Sequence, residues 1–243
     1  MRTVAAPMAA RQRQRGISLL VVMIVVLLSS LLALWAFRSS LVNEAIVGND
    51  ADYQRAFEAA QAMIQDAELD IRGERADGGS CVGHATDTKI CRLGNTIAFA
   101  EENKDLGALL ARLDAAATRC IQGICQKRVG AQDFWSDATA LGDMTAADVG
   151  ARYGEYTGAL PPTGSTAAPN PLLLQRGAGQ GAWYWIEVMP YDTTPAGLLA
   201  GRDKLELNLN PAVVYRITAV ARGLKPRTQV VLQSTFARQK LKN

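Results

Sequence analysis

Positions 17–37 form a run of 21 mostly apolar residues that contains no charged side chain. At about 1.5 Å per residue the run makes a helix of roughly 31 Å, enough to cross a hydrocarbon core. The helical pattern continues beyond it, with Val42, Ile46, Tyr53, Phe57, Ala60, Ile64, Ala67 and Ile71 recurring on one face. These positions predict one helix over 17–72, half membrane span and half core stave. Its one interruption is Gly48-Asn49-Asp50, where glycine costs about 1 kcal/mol relative to alanine and a bend outside the membrane is expected. Gly73 and Asp77-Gly78-Gly79-Ser80 then end it.

Beyond residue 80 the periodicity weakens until the C-terminal third. Residues 105–118 place Leu106, Leu109, Leu110 and Leu113 at helical spacing, and Thr145-Ala146-Ala147-Asp148 resembles a helix-starting capping box. Residues 161–171 are a loop by composition, and Gly177-Ala178-Gly179-Gln180-Gly181 reads as a flexible entry into a strand. Three stretches then alternate in period two: 183–189, 212–222 and 228–238, the last two joined by the hairpin loop Gly223-Leu224-Lys225-Pro226-Arg227. Tyr184, Ile186 and Val188 share a face, as do Tyr215, Ile217 and Ala219, and Val230, Leu232 and Phe236. Trp183 and Trp185 fall on the opposite face from Ile186, where packing under the middle region is the expectation. An antiparallel sheet with one apolar face needs cover, and the helix face of Phe57 and Ile64 supplies it. The fold class expected is α+β, a long N-terminal helix on a C-terminal antiparallel sheet. The segments are a leader (1–16), a membrane span (17–37), an amphipathic helix (38–72), an inserted region with four cysteines (73–181) and the sheet (182–243).

Charge orients the chain. Arg2, Arg11, Arg13 and Arg15 stand in a leader without an acid, so the net charge of +3 belongs to the leader and the rest is close to neutral. Basic residues favour the inner side, which puts the leader in the cytoplasm and the bulk outside. A cleaved secretory signal is disfavoured, because the apolar run exceeds a signal core and no Ala-x-Ala site follows it. A neutral domain without a basic stripe gives no case for nucleic acid. Export also accounts for Cys81, Cys91, Cys120 and Cys125 as disulfides. Four cysteines allow three pairings, and the local one, Cys81 with Cys91 and Cys120 with Cys125, is preferred because each closes a short loop. His84, the only histidine, makes a weak Cys-x2-His pattern with Cys81. Asp133, Asp137, Asp143 and Asp148 lack the spacing of a calcium loop and read as a solvated face. No metal, cofactor or catalytic motif is expected.

Gln14-Arg15-Gly16-Ile17-Ser18-Leu19-Leu20 before an apolar run resembles the N-terminus of type IV pilin-like proteins. In that family a prepilin peptidase cuts after the glycine and the new first residue is N-methylated, which implies a processing site at Gly16 and Ile17. Residues 54–60, Asp66-Ala67-Glu68, residues 215–223 and residues 230–235 are similar to PilX-type minor pilins. The resemblance covers the first 72 and last 35 residues well. It implies a non-enzymatic subunit, anchored in the inner membrane with its C-terminal domain in the periplasm, that primes pilus assembly in a tip complex. Its implied partners are other minor pilins, the major pilin and the prepilin peptidase, with a tip adhesin as a further candidate. Helix packing in the assembly would use Val21, Val42, Ile46, Tyr53, Phe57 and Ile64.

One departure bears on mechanism. The fifth mature residue of major pilins is a glutamate, thought to pair with a neighbouring subunit's N-terminal amine, and here it is Val21. K-type pseudopilins of type II secretion also lack this acid, and the similarity implies a place at the filament tip, where no subunit above offers that pair. No proline stands near Arg38, so a straighter helix than the major subunit's is expected. The rival readings are a type II secretion pseudopilin and a membrane-anchored periplasmic enzyme or receptor domain.

Overall fold

The computed structural model of the chain describes residues 17–83, 87–160, 170–191 and 209–239. Helix α1 (Ile17–Arg72) crosses the division between two compact units, residues 1–48 and 49–243. Hydrogen bonding stays helical through Gly48, Asn49 and Asp50, so the predicted interruption is not present. Backbone pairing along a helix absorbs a single glycine's small propensity cost.

In the first unit every side chain from 17 to 47 is exposed, including Trp35 and Phe37. This is the one stretch among the described residues long and apolar enough to cross a membrane. Its only polar side chains before Arg38, Ser18 apart, are Ser29 and Ser30, whose hydroxyls donate to the carbonyls of Val25 at 2.7 Å and Val26 at 2.8 Å. Folding the hydroxyl back on the preceding turn lowers the cost of carrying it into hydrocarbon.

The second unit is built on a five-stranded sheet in the order β1 (Cys120–Ile121), β2 (Ile124–Gln126), β3 (Gly181–Pro190), β4 (Leu209–Arg222) and β5 (Gln229–Gln239). All neighbours are antiparallel except β2 and β3, which run parallel with Ile124 opposite Ile186. The expected three strands are present, and the middle of the chain adds two. The β1–β2 turn explains why the sequence hid them: Gln122 and Gly123 have φ of 52° and 81°. A two-residue hairpin with both central residues at positive φ normally announces itself as Asn-Gly, and glutamine does not. Gly123 is required in its own right, since a Cβ there would come within 2.6 Å of the Ala151 Cβ.

Strand β3 is buried on both faces, and its alternation sorts residues between two cores. Tyr184, Ile186 and Val188 join Tyr215, Ile217, Ala219 and the buried face of α1 in the larger core. Trp183 and Trp185 join Phe134, Leu141, Met144 and the Cys120–Cys125 disulfide in the smaller one, so the tryptophans do pack beneath the middle region. The Phe134 ring meets Trp185 edge-on at 4.9 Å, and Trp185 Nε1 donates to the Met144 carbonyl at 3.0 Å.

The helices of the middle region are α2 (Asn103–Asp114), shorter than its leucine pattern suggested, and α3 (Ala138–Met144). Thr145 follows α3 instead of starting a helix. The cap is Asp137, whose carboxylate accepts from Ala140 N at 2.7 Å, while Asp148 adopts φ of 59° in the turn beyond. A residue three positions from a Thr makes a capping box only where a helix follows, and here the chain turns toward β2. Pro171 opens a short 3-10 turn capped by Asn170; residues 161–169 and His84 lie outside the described residues.

Candidate functional site

Helix α1 turns a different face to the sheet from the one its large apolar residues suggest. Ala56, Ala59, Ala60, Met63, Ala67 and Ile71 are buried, whereas Phe57 and Ile64 are half-buried at the margin and Tyr53 is exposed. These small side chains share the larger core with the bulky Tyr184 and Tyr215. Three aspartates lie on the same buried stripe: Asp52, Asp66 and Asp70. The stripe repeats by heptads, with Asp52, Ala59 and Asp66 in one row and Ala56, Met63 and Asp70 in the next.

Each aspartate fastens a different part of the unit to the helix. Asp52 holds the β4–β5 hairpin loop, accepting from Leu224 N at 2.9 Å and Lys225 N at 3.0 Å. Burial pushes its carboxyl up, but hydrogen bonds from Thr228, Lys225 and Leu224 and the charge of Arg55 hold it below the ordinary aspartate value. Gly223 is needed beside it, because a Cβ there would collide with the Asp52 carboxylate and with Thr228.

Asp66 accepts from Gly154 N at 2.8 Å and from the Thr157 hydroxyl. Burial dominates here and pushes its carboxyl up to about 7, against the pull of those two bonds; the neighbouring Asp70 charge pushes the same way. Asp70 forms a fork with Arg92, at 2.7 Å to Nε and 2.5 Å to Nη2, and accepts the Tyr184 hydroxyl at 2.9 Å. Both charged side chains are almost wholly buried. The guanidinium also donates to the carbonyls of Ile97 and Gln122, each at 3.1 Å, and stacks 3.9 Å over the Tyr156 ring. Four hydrogen bonds and this stacking therefore offset most of its desolvation.

Arg92 reaches this position through the neighbouring disulfide. Cys81–Cys91 closes a loop of ten positions, and both Cys91 and Arg92 have positive φ, at 65° and 49°. The second bond is Cys120–Cys125, so the local pairing is the one formed. Cys120 and Cys125 face each other across β1 and β2, on the floor of the smaller core.

Of the positions expected to pack in an assembly, Val21, Val42, Ile46 and Tyr53 have exposed side chains available to a membrane or a partner. Phe57 and Ile64 divide their surface between the core and solvent. Ile17 begins α1, and Gly16 lies outside the described residues. Sequence reasoning missed the aspartate anchors. Their signal was an acid recurring by sevens on the alanine-rich face. Nothing in the pattern marked Arg92.

A membrane-length apolar helix that continues as the stave of a disulfide-bonded α+β domain defines the pilin-like class of anchored subunits. Within that class the chain belongs to the PilX family of type IV pilus assembly proteins: residues 15–65 match the PilX N-terminal model and residues 121–238 the model of the PilX C-terminal region. No curated protein and no solved structure matches it.

Proposed function

We propose that this chain is a non-enzymatic minor pilin that is cut after Gly16, remains in the inner membrane with residues 49–243 in the periplasm, and primes pilus assembly at the filament tip. Its partners on this reading are other minor pilins, the major pilin and the prepilin peptidase. Two disulfides favour an oxidising compartment for the folded unit, and the arginine-bearing leader favours the opposite side.

The observation that carries the tip placement is Val21. An acid inside the bilayer is tolerated where a partner charge neutralises it, and a subunit with no neighbour above has no incoming amine to serve. Val21 lies exposed on α1 and makes no such demand. Assembly then proceeds by packing the apolar half of α1 against similar helices, through van der Waals contact in lipid and hydrophobic burial once in the filament.

Mass spectrometry of the mature chain tests the processing step: Ile17 is the expected N-terminus, and Gly16→Val leaves the precursor uncut. A normal Ile17 peptide from that variant overturns the assignment. Val21→Glu adds an unpaired carboxylate at a cost of about 2.5 kcal/mol or more and is expected not to improve piliation. More of the protein along sheared pili, with piliation intact, refutes the tip placement. Deletion is expected to abolish pili and leave type II secretion unchanged; the reverse assigns the subunit to the secretion machine.

A further inference from the structure

Among the described residues β5 (Gln229–Gln239) is an outer strand of the sheet, paired with β4 on one side only. The hairpin determines which of its backbone groups β4 uses. Gly223 N donates to the Thr228 carbonyl at 2.9 Å, and from such a point bonded and unbonded pairs alternate along an antiparallel ladder. Val230, Leu232, Ser234 and Phe236 therefore exchange bonds with β4, opposite Ala221, Ala219, Ile217 and Tyr215. The other side of β4 has the same phase, since Tyr184, across from Ala219, exchanges its bonds with Ala151 instead. Val231, Gln233 and Thr235 consequently turn their N–H and C=O groups away from the sheet, and no described backbone group bonds to them. The Gln233 and Thr235 side chains are exposed and Val231 is half-buried.

A long outer strand is normally blunted by a lysine, a proline or a bulge, because a bare row of backbone groups templates another strand. Positions 229–237 contain no charge and no proline. The irregularity of the β4–β5 ladder falls between Leu209 and Val214, which leaves regular pairing from Ala237 back to Gln229. At about 3.3 Å per residue the edge stays open over roughly 20 Å. Charge stands only at its ends. Arg227 precedes the strand and Arg238 closes it, and neither pairs with an acid among the described residues. An incoming strand that is uncharged along its middle docks without desolvating a charge, and an acid at each end meets an arginine.

We propose that the open edge of β5 is a docking site for an extended strand of a neighbouring pilus subunit, uncharged in its middle and acidic at both ends. Its backbone bonds to Val231, Gln233 and Thr235 would supply affinity, and the charges of Arg227 and Arg238 would set its register. The inference rests on the assembly role proposed above and gives it a contact that the apolar half of α1 does not make.

The test reads amide exchange residue by residue across 229–239, in the full chain purified alone and in complex with the other minor pilins. In the isolated chain Val231, Gln233 and Thr235 should exchange fast, and Val230, Leu232 and Ser234 slowly. In the complex the first three should slow by about tenfold or more. Thr235→Pro removes one outward N–H and no bond to β4, at an edge position where a strand accepts proline. It should lower recovery of the complex about tenfold at a near-normal melting temperature, whereas Thr235→Ala should not. Arg227→Glu should lower recovery as well. A complex in which the three amides exchange as fast as in the isolated chain overturns the docking alone, and this measurement needs no variant. Undiminished recovery of Thr235→Pro or of Arg227→Glu overturns it too. Slow exchange of the three amides in the isolated chain overturns it by showing the edge already closed. Should wild type form no complex with the other minor pilins, the assembly role falls together with the docking site.

Discussion

Asp66→Asn should make the second unit more stable at alkaline pH while leaving its acid stability nearly unchanged. The side chain is buried under residues 154–157 with a folded pKa of about 7, against 3.8 for an ordinary aspartate. Between those values the folded chain holds a proton that the unfolded chain has lost. The contribution of this raised pKa is therefore fully present below pH 3.8, falls as pH rises, and is gone once pH passes about 7. At about 1.4 kcal/mol per unit, the fall between pH 5 and pH 8 amounts to roughly 2 to 3 kcal/mol. Asparagine does not titrate, and it can accept from Gly154 N through Oδ1 while Nδ2 donates to the Thr157 oxygen. Urea unfolding of a disulfide-intact fragment beginning at Asn49, run on both proteins at the two pH values, measures the difference directly. The variant should match wild type at pH 5 and exceed it by roughly 2 to 3 kcal/mol at pH 8. A difference that does not change with pH refutes the raised pKa. Wild type gaining on the variant as pH rises would mean that the fold prefers the ionised carboxylate.

Arg92→Met leaves Asp70 buried with only the Tyr184 hydroxyl, at a cost of about 3 to 5 kcal/mol in urea unfolding; adding Asp70→Leu should recover much of the loss, and an additive double variant would show that the two do not couple. Removing Cys81–Cys91 by paired serine substitutions should cost about 2 to 3 kcal/mol and slow amide exchange should be lost around Arg92. Gly223→Ala should lower the melting temperature far more than Leu224→Ala, because it strikes the Asp52 carboxylate whereas Leu224 is exposed. Met63→Ala should cost about 2 to 5 kcal/mol and Phe57→Ala less, since Met63 is fully buried and Phe57 is not; the opposite order would mean a different helix rotation.

The sequence was most legible where a single period governs a long stretch. The apolar run, the helix to Arg72 and the three long strands follow from such periods, and hairpin loop 223–227 follows from its composition. It was least legible where a tertiary partner decides the local structure. Strands β1 and β2 are two and three residues long and carry no period of their own; they exist because Ile124 and Cys125 pair with Ile186 and Glu187 more than 60 positions away. The helix face misled for a related reason. Hydrophobic size points to Tyr53, Phe57 and Ile64, but the core shared with the bulky Tyr184 and Tyr215 takes up alanines and Met63, and the hydrogen bonds of Gly154, Leu224 and Lys225 select aspartate. A hydrophobicity pattern prices those acids as exposed, because their partners lie some 90 to 170 positions along the chain. Arg92 was hidden further, since its placement depends on a disulfide turn with positive φ.

The aspartates also explain why this helix can serve two surroundings. Apolar packing resists rotation of a helix through shape and volume alone, and small alanines define that shape weakly. A buried carboxylate does not tolerate rotation. Turning α1 by one residue would strip Asp70 from Arg92 and Asp66 from Thr157, and each orphaned group would carry a penalty of about 1 to 3 kcal/mol or more for the charged ones. Three such anchors, spread from Asp52 to Asp70 over about five turns of helix, therefore fix its rotation on the sheet. That rotation in turn decides which residues of 49–72 face outward, among them Tyr53, Gln54, Glu58, Gln61 and Gln65. Polar bonds on the hidden side thus set the outward side available to a partner subunit, and a substitution at Asp66 or Asp70 can alter assembly without touching an assembly contact.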